Sequence, residues 1–251
     1  MKNPNFSYIG STNSSAKIVK GETIGVDTFV VYLAPSTSSG YQTCPRATSE
    51  CIKACLNTSG RVIMDKALTI QKARINRTKA FFTDRPNFLR QLWKEIASAR
   101  KKAMKKGNKF AVRLNGTSDL SPALFTLDGV NILDAFSDVT FYDYTKVLNR
   151  SKIAQERTNY DLTFSYSGHN WSECETALSN GIRVAVVFDT KKGKPLPTSY
   201  KGFPVIDGDV TDYRPADEGA VIVGLRFKKI KDKVAMAEAL KSAFVVNVAS
   251  L

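Results

Sequence analysis

The sequence predicts an α/β protein, a single domain built as a partial TIM-like (βα) barrel on a mostly parallel sheet. Three observations carry that expectation. Seven short, continuously apolar runs, rich in β-branched and aromatic residues, alternate with helical or polar stretches, which is the pattern of parallel strands buried on both faces. No linker, low-complexity tract or internal repeat divides the chain. With 251 residues and 43% hydrophobic content, it can bury a full core without covalent staples.

The elements follow in order. Residues 1–27, from "MKNPNFSYIGSTNSSAKIVKG", read as a polar N-terminal extension with no apolar run of the signal-peptide kind, leaving 28–251 as the domain. "DTFVVYLAPS" is the first strand, stopped by Pro35 and a Ser/Thr cluster. A cysteine loop at 40–60 comes next, then a basic helix from Val62 to Phe82. Pro86 suits the first turn of a second basic helix, in which Phe88, Leu92, Ile96, Ala99 and Ala103 form an apolar stripe and which Gly107 ends. Beyond it "KFAVRLN" is a strand, "PALFTLDGVNILDAF" a helix, "VTFYDYT" a strand, "KVLNRSKIAQE" a short helix and "DLTFSYS" a strand. "NWSECETALSNG" gives a helix closed by Gly181, then "IRVAVVFD", "FPVIDGD" and "AVIVGLRF" are strands and "DKVAMAEALKSAF" a last helix. No segment approaches the roughly 20 apolar residues of a membrane span, so a cytoplasmic protein with reduced thiols is expected.

A parallel βα sheet places chemistry just beyond the carboxyl ends of its strands. Polar residues gather there in "NGTSDLS", "DYTK", "SYSGHNW", "DTKKGK" and "DGDVTDYR". The cysteine loop lies on the same side, with Cys44, Cys51 and Cys55 spaced as C-x6-C-x3-C. A helical turn would set the last two on one face, within reach of one centre. Three thiols without an adjacent histidine suit a [4Fe-4S] cluster, which needs no fourth protein ligand if one iron is left open. Zinc with a remote fourth ligand is an alternative, although the CxxC spacing of zinc knuckles is absent, and inert or disulfide-bonded thiols are another. Cys174 is a possible fourth ligand, but its helical setting makes it by default a small core residue. His169, the single histidine, is the one partner available for a cysteine nucleophile, but a loop histidine after a strand is expected rather to be structural or to contact substrate or cofactor. No GxSxG, P-loop or GxGxxG occurs.

Carboxylates offer a competing chemistry. Asp207, Asp209 and Asp212 alternate after a strand and could bind Mg²⁺ or Mn²⁺ in a metal-dependent nuclease, or could simply flank an Asp-Gly turn. Asp119 and Asp143 are expected to point into the same crevice and to contact a cofactor amine or ribose hydroxyls.

Charge suggests a partner. Lys plus Arg number 37 against 23 Asp plus Glu, a net +14, and an acidic polymer such as nucleic acid is the natural counterpart. The two basic helices hold 14 of those 37 cations against Asp84 and Glu95 alone. Lys72, Arg74, Arg77 and Lys79 on the first, with Arg100, Lys101 and Lys102 on the second, are the candidate contacts. A merely solvated helix face is the plainer reading of the same pattern.

The runs "LAPSTSSGYQTCPRATSECIKACLNTSGR", "RTKAFFTDRPNFL", "VRLNGTSDLS", "FYDYTK", "LTFSYS", "VAVVF", "VIDGDVTDYRPAD" and "VIVGL" stand in that order across residues 29–227. They resemble the gene-product-88 family of phage and plasmid proteins, a label that by itself implies no activity. A more distant likeness is to radical S-adenosylmethionine enzymes, βα barrels in which three cysteines after the first strand bind a [4Fe-4S] cluster. That likeness implies Cys44, Cys51 and Cys55 as cluster ligands, and "LNGTSD" as the strand end touching the amino group of S-adenosylmethionine through Asn115, Gly116, Thr117 and Asp119. The usual CxxxCxxC spacing of those enzymes is not kept here. Together these features predict an iron-sulfur enzyme of radical type, possible action on nucleic acid included. A non-catalytic nucleic-acid-binding protein with a structural metal, and the nuclease, are the alternatives.

Overall fold

The computed structural model describes residues 7–10, 16–55, 57, 59, 61–230 and 232–251. Its strands are Ile9–Gly10 (β1), Val26–Val31 (β2), Lys109–Arg113 (β3), Thr126–Leu127 (β4), Val130–Asn131 (β5), Thr140–Thr145 (β6), Tyr160–Ser165 (β7), Val184–Phe188 (β8), Ser199–Tyr200 (β9), Phe203–Asp207 (β10), Ile222–Arg226 (β11) and Val245–Val246 (β12). The helices are Ala16–Glu22 (α1), Ser49–Lys53 (α2), Arg61–Met64 (α3), Thr69–Thr83 (α4), Arg85–Lys105 (α5), Ile132–Ala135 (α6), Ser151–Glu156 (α7), Trp171–Ser179 (α8) and Lys233–Lys241 (α9).

The seven apolar runs form one parallel array in the order β2-β3-β6-β7-β8-β11-β10. Antiparallel β1 borders it at one end and antiparallel β9 at the other. The sheet is therefore open, and the expected barrel does not close: two short strands take the edges that a barrel would join. β7 pairs with the start of β8, at Val184 and Ala185, whereas β12 pairs with its end, at Val187 and Phe188. The C-terminal segment thus enters where β7 and β8 part. It passes so near Gly168 that a Cβ there would lie 2.9 Å from the Phe244 nitrogen, and with φ at 101° only glycine serves.

Helices cover the outer face. The stripe of α5, Phe88, Leu92, Ile96, Ala99 and Ala103, is buried with Phe110, Val112 and Phe141 of the strands. Each large side chain removed from water there contributes about 1.5–3 kcal/mol. α8 covers the other half, placing Cys174, Ala177 and Leu178 among Val184, Val186 and Phe188. The segment after β10 crosses the inner face, with Tyr213 against Tyr142 and Asp212 paired to Arg113 at 2.7 Å.

Three expectations change. Residues 1–6 and 11–15 lie outside the described residues, but the rest of the segment to 27 is no extension: β1 joins the sheet, Tyr8 and Ile9 are in the core, and β2 begins at Val26. The first basic helix is broken, because Leu68 takes φ 56° between α3 and α4 and the Asp65 carboxylate accepts the Ile70 N–H at 2.6 Å. The segment 122–136 is mostly not helical. Pro122–Leu124 makes a single 3₁₀ turn, and Asp128 and Gly129, both at positive φ, close the β4–β5 hairpin before the one turn of α6.

Candidate functional site

The cysteine loop folds back on the end of β2 through backbone groups. Thr43 Oγ1 donates to the Ala34 carbonyl at 2.6 Å, and the Thr43 carbonyl accepts the Asp119 N–H at 2.7 Å, tying the loop to the end of β3. Cys44 Sγ accepts the Ser36 N–H at 3.3 Å and lies 3.9 Å from the Thr117 carbonyl. Thr48 caps α2 by accepting the Cys51 N–H at 3.2 Å, and Cys55, just after that helix, accepts the Asn57 N–H at 3.5 Å. Residues 56, 58 and 60 of the loop lie outside the described residues.

Cys44 and Cys51 carry free thiols, and all three cysteines are half-buried. Burial raises Cys44 and pushes Cys55 up to about 11, and in each case the Cys51 thiol adds to the rise. The three therefore lie within electrostatic reach of one another. Cations stand beside them: Arg74 Nη1 donates to Asn57 Oδ1 at 2.5 Å and senses the Cys55 thiol, which Lys146 also faces. Pairs of Arg46 with Glu173 and Lys53 with Glu238, both at 2.7 Å, fasten the loop to α8 and α9. Among the described residues, no group of three His, Cys, Asp or Glu side chains is set to hold a metal ion.

The other sequence candidates divide. His169 is exposed ahead of α8, with its charge felt by Glu50 of α2, so it borders the loop. Cys174 is wholly buried in the α8 core, its thiol raised to about 12 by burial with Glu173 and Glu175 as neighbours, and it does not join the other three. Asn115 is spent on its own turn. Its N–H and Nδ2 donate to Asp143, Nδ2 also to the Leu120 carbonyl, and Oδ1 accepts from Leu120 N and Ser118 Oγ. Gly116 is pressed against β2, where a Cβ would lie 2.5 Å from Val30 Cγ1 and 2.6 Å from the Tyr32 ring. Thr117 Oγ1 donates to the Leu33 carbonyl at 2.5 Å. Asp119 accepts from Thr145 Oγ1, the Lys146 N–H and Arg150 Nη1. The expected S-adenosylmethionine contact at this strand end is thus a hydrogen-bonded brace. Asp143, buried under it, is raised to about 6 by desolvation, with Arg113 and the Asn115 hydrogen bonds opposing.

The carboxylates after β10 are paired. Arg226 holds Asp207 at 2.9 Å and Asp209 at 3.1 Å, and Arg113 holds Asp212. An open acidic metal site is not formed by them. Of the basic candidates, Arg74 is buried and Arg77 donates to the Ser7 and Tyr32 carbonyls, because α4 packs that side against the chain just after β2, where Thr78 Oγ1 accepts the Ala34 N–H. Arg100 pairs with Asp138. Lys72, Lys79, Lys101 and Lys102 remain exposed. Sequence reasoning missed Arg113, Arg150 and Tyr144. A lone Arg ending the apolar run "KFAVR" was the available signal for the first, while nothing local marks Arg150 as buried.

A family model described as gene product 88 matches residues 9–247, from β1 past β12. The chain belongs to the gene product 88 family. Within this family's span lie the cysteine loop, the braced end of β3 and the crossing segment after β10. Among curated proteins and solved structures nothing matches the chain.

Proposed function

We propose that this gene product 88 protein is an iron-sulfur protein whose cluster ligands are Cys44, Cys51 and Cys55. What supports the reading is that Cys44, Cys51 and Cys55 share one loop beyond β2, with Cys44 and Cys55 both sensing the Cys51 thiol, although among the described residues they are not set around one point. Thiols that raise one another as anions are repelled when deprotonated, and a bound cation turns that repulsion into attraction. The donors fit as well: the Ser36 and Asn57 N–H groups already point at two of the sulfurs, the kind of contact that tunes cluster potentials. Zinc would draw on the same thiolates.

A cluster held there supplies one-electron chemistry. Around it the chain's own residues have separate tasks. Arg74 and Lys146 offset negative charge at Cys55, the Arg46 and Lys53 ion pairs fix the loop, and Asn115 with Asp119 holds the neighbouring strand end. Enzymatic use of the cluster, with radical chemistry on S-adenosylmethionine as one form, would draw on the loop alone, since the groups at 115–119 are already engaged. The exposed lysines Lys72, Lys79, Lys101 and Lys102 support contact with a polyanion such as nucleic acid, which a binding constant falling steeply with salt would register.

The deciding experiment is purification without oxygen, followed by iron, acid-labile sulfide and zinc analysis and visible absorption spectra. Iron with sulfide in the wild type, lost in Cys44→Ala, Cys51→Ala and Cys55→Ala but kept in Cys174→Ala, is expected. A preparation with neither iron nor sulfide overturns the proposal, and stoichiometric zinc alone reassigns the site.

A further inference from the structure

The apolar stripe of α5 leaves one line of that helix facing away from the sheet. With about 100° of turn per residue, Arg90, Lys94, Lys101 and Lys105 stand opposite the buried Leu92, Ile96, Ala99 and Ala103. All four cations are exposed, as is Lys102 beside them, and only the small Ala97 and Ser98 come between. From Arg90 to Lys105 the line runs about 22 Å.

The fold keeps carboxylates off that line. Glu95, the one acid of α5, is turned aside: Oε2 accepts the Tyr8 and Ile9 N–H groups at 2.8 and 3.0 Å, and Oε1 accepts Gln91 Nε2 at 2.9 Å, so its charge is spent on fixing β1. Arg100 and Lys106, on the flanks, are paired with Asp138 and Asp27, and Arg90 reaches Asp128 only at 3.9 Å. Among the described residues, Lys94, Lys101, Lys102 and Lys105 have no carboxylate partner. Helix stability does not account for the pattern. Cations in the last turn suit the helix dipole, which covers Lys102 and Lys105, but the first turn holds no acid, Arg90 and Lys94 lie in the first half, and Lys101 and Lys105 repel at four-residue spacing.

We propose that the outer face of α5 docks on the phosphate backbone of double-stranded DNA, without regard to base sequence, through Lys94, Lys101, Lys102 and Lys105. This rests on the polyanion contact proposed above and gives it a place and a partner. A straight line of ammonium groups suits a stiff polyanion with one charge about every 1.7 Å of axis. The line carries no aromatic ring on which an unpaired base could stack, since Trp93 is half-buried against Phe136, so single strands are disfavoured. B-form DNA has a major groove about 12 Å wide along which a helix can lie with its lysines on the flanking phosphates, whereas the deep, narrow groove of duplex RNA shuts a helix out. Contacts to phosphate position the duplex and read no sequence.

The test is fluorescence-anisotropy titration of the full chain with two DNA duplexes of unrelated sequence, a duplex RNA and polyglutamate, between about 50 and 200 mM salt. Both DNA duplexes should bind alike, with affinity falling about 100-fold over that range, as about four phosphate contacts require. Lys94→Gln/Lys101→Gln/Lys102→Gln/Lys105→Gln alters only exposed side chains and keeps helix propensity, so its Tm should hold. It should bind DNA at least about 30-fold more weakly at low salt and lose most of the salt dependence. Lys191→Gln/Lys192→Gln/Lys229→Gln/Lys233→Gln removes the same charge from exposed positions elsewhere and should bind within about threefold of the wild type. Equal DNA affinity in the α5 variant and the wild type overturns this proposal while leaving a polyanion contact at another face. Absence of any salt-dependent binding overturns both, and tighter binding of RNA or polyglutamate than of DNA overturns the partner assigned here.

Discussion

Two loops leave neighbouring strands at the same end of the sheet, and both are polar, yet they are built in opposite ways. After β3, Asn115 and Asp119 use their side-chain atoms on the local backbone, on Thr145 and on Arg150. After β2, the backbone is tied down by Thr43 and Thr48, while Cys44 and Cys51 are left as free thiols. Polarity at a strand end is therefore ambiguous: it marks a site when the side chains remain available and a brace when they are consumed. The brace supports the site, since Asp119 N donates to Thr43 O beside Cys44.

The sharpest way to break that contrast is to remove the brace's buried charge. Arg150 is 7% exposed and Asp119 is its carboxylate partner, so Asp119→Ala strands a buried guanidinium. A loss of about 3–5 kcal/mol in urea unfolding is expected. Next comes pH. Asp143 is raised to about 6 when folded, against about 3.9 in an unfolded chain, so between those values the folded state holds the proton that the unfolded state has released. Stability from this group is full below about pH 4 and falls by about 3 kcal/mol as pH rises through 6. Asp143→Asn should flatten that slope in unfolding midpoints measured from pH 4 to 7. Gly116→Ala is smaller: the added methyl must displace Val30 or the Tyr32 ring, costing about 1–3 kcal/mol by thermal unfolding.

How far the sequence revealed this contrast depends on what each pattern physically reports. Runs rich in β-branched and aromatic residues marked all seven parallel strands, most plainly "VAVVF" and "AVIVGLRF", whose β8 and β11 are buried along most of their length, and least plainly β10, which is half-buried or exposed. Strand order was not in that signal. Insertion of β11 between β8 and β10, and the antiparallel β1, follow from long-range pairing, whereas β9 is a local hairpin with β10, closed by Lys201-Gly202 at positive φ, a signal the sequence did carry. "PALFTLDGVNILDAF" misled because its apolar spacing fits a helix, although Asp128-Gly129 is a hairpin signal that outweighs it. At the site, the cysteine spacing showed which residues gather. It could not show that Asn115 was already satisfied, since its partners Asp143 and Leu120 are set by the fold and the turn, nor that Arg74 and Arg77 face inward from a helix whose lysines face water.

The smallest effect on stability is expected where the largest effect on function is proposed. The cysteine side chains are half-buried and Cys44 makes weak sulfur hydrogen bonds, while the fastening of the loop runs through Thr43, Thr48, Arg46 and Lys53. Replacing Cys44 or Cys51 by Ala in metal-free protein should therefore change urea unfolding by no more than about 1 kcal/mol. In protein loaded with iron and sulfide, the same substitutions should erase whatever extra stability the metal confers, because a ligand that binds only the folded state adds to its stability by mass action. Comparing each variant with the wild type, with and without metal, separates the two roles. A loop that is itself structural would lose several kcal/mol in the metal-free protein, whereas a loop that is a site loses only the metal-dependent increment.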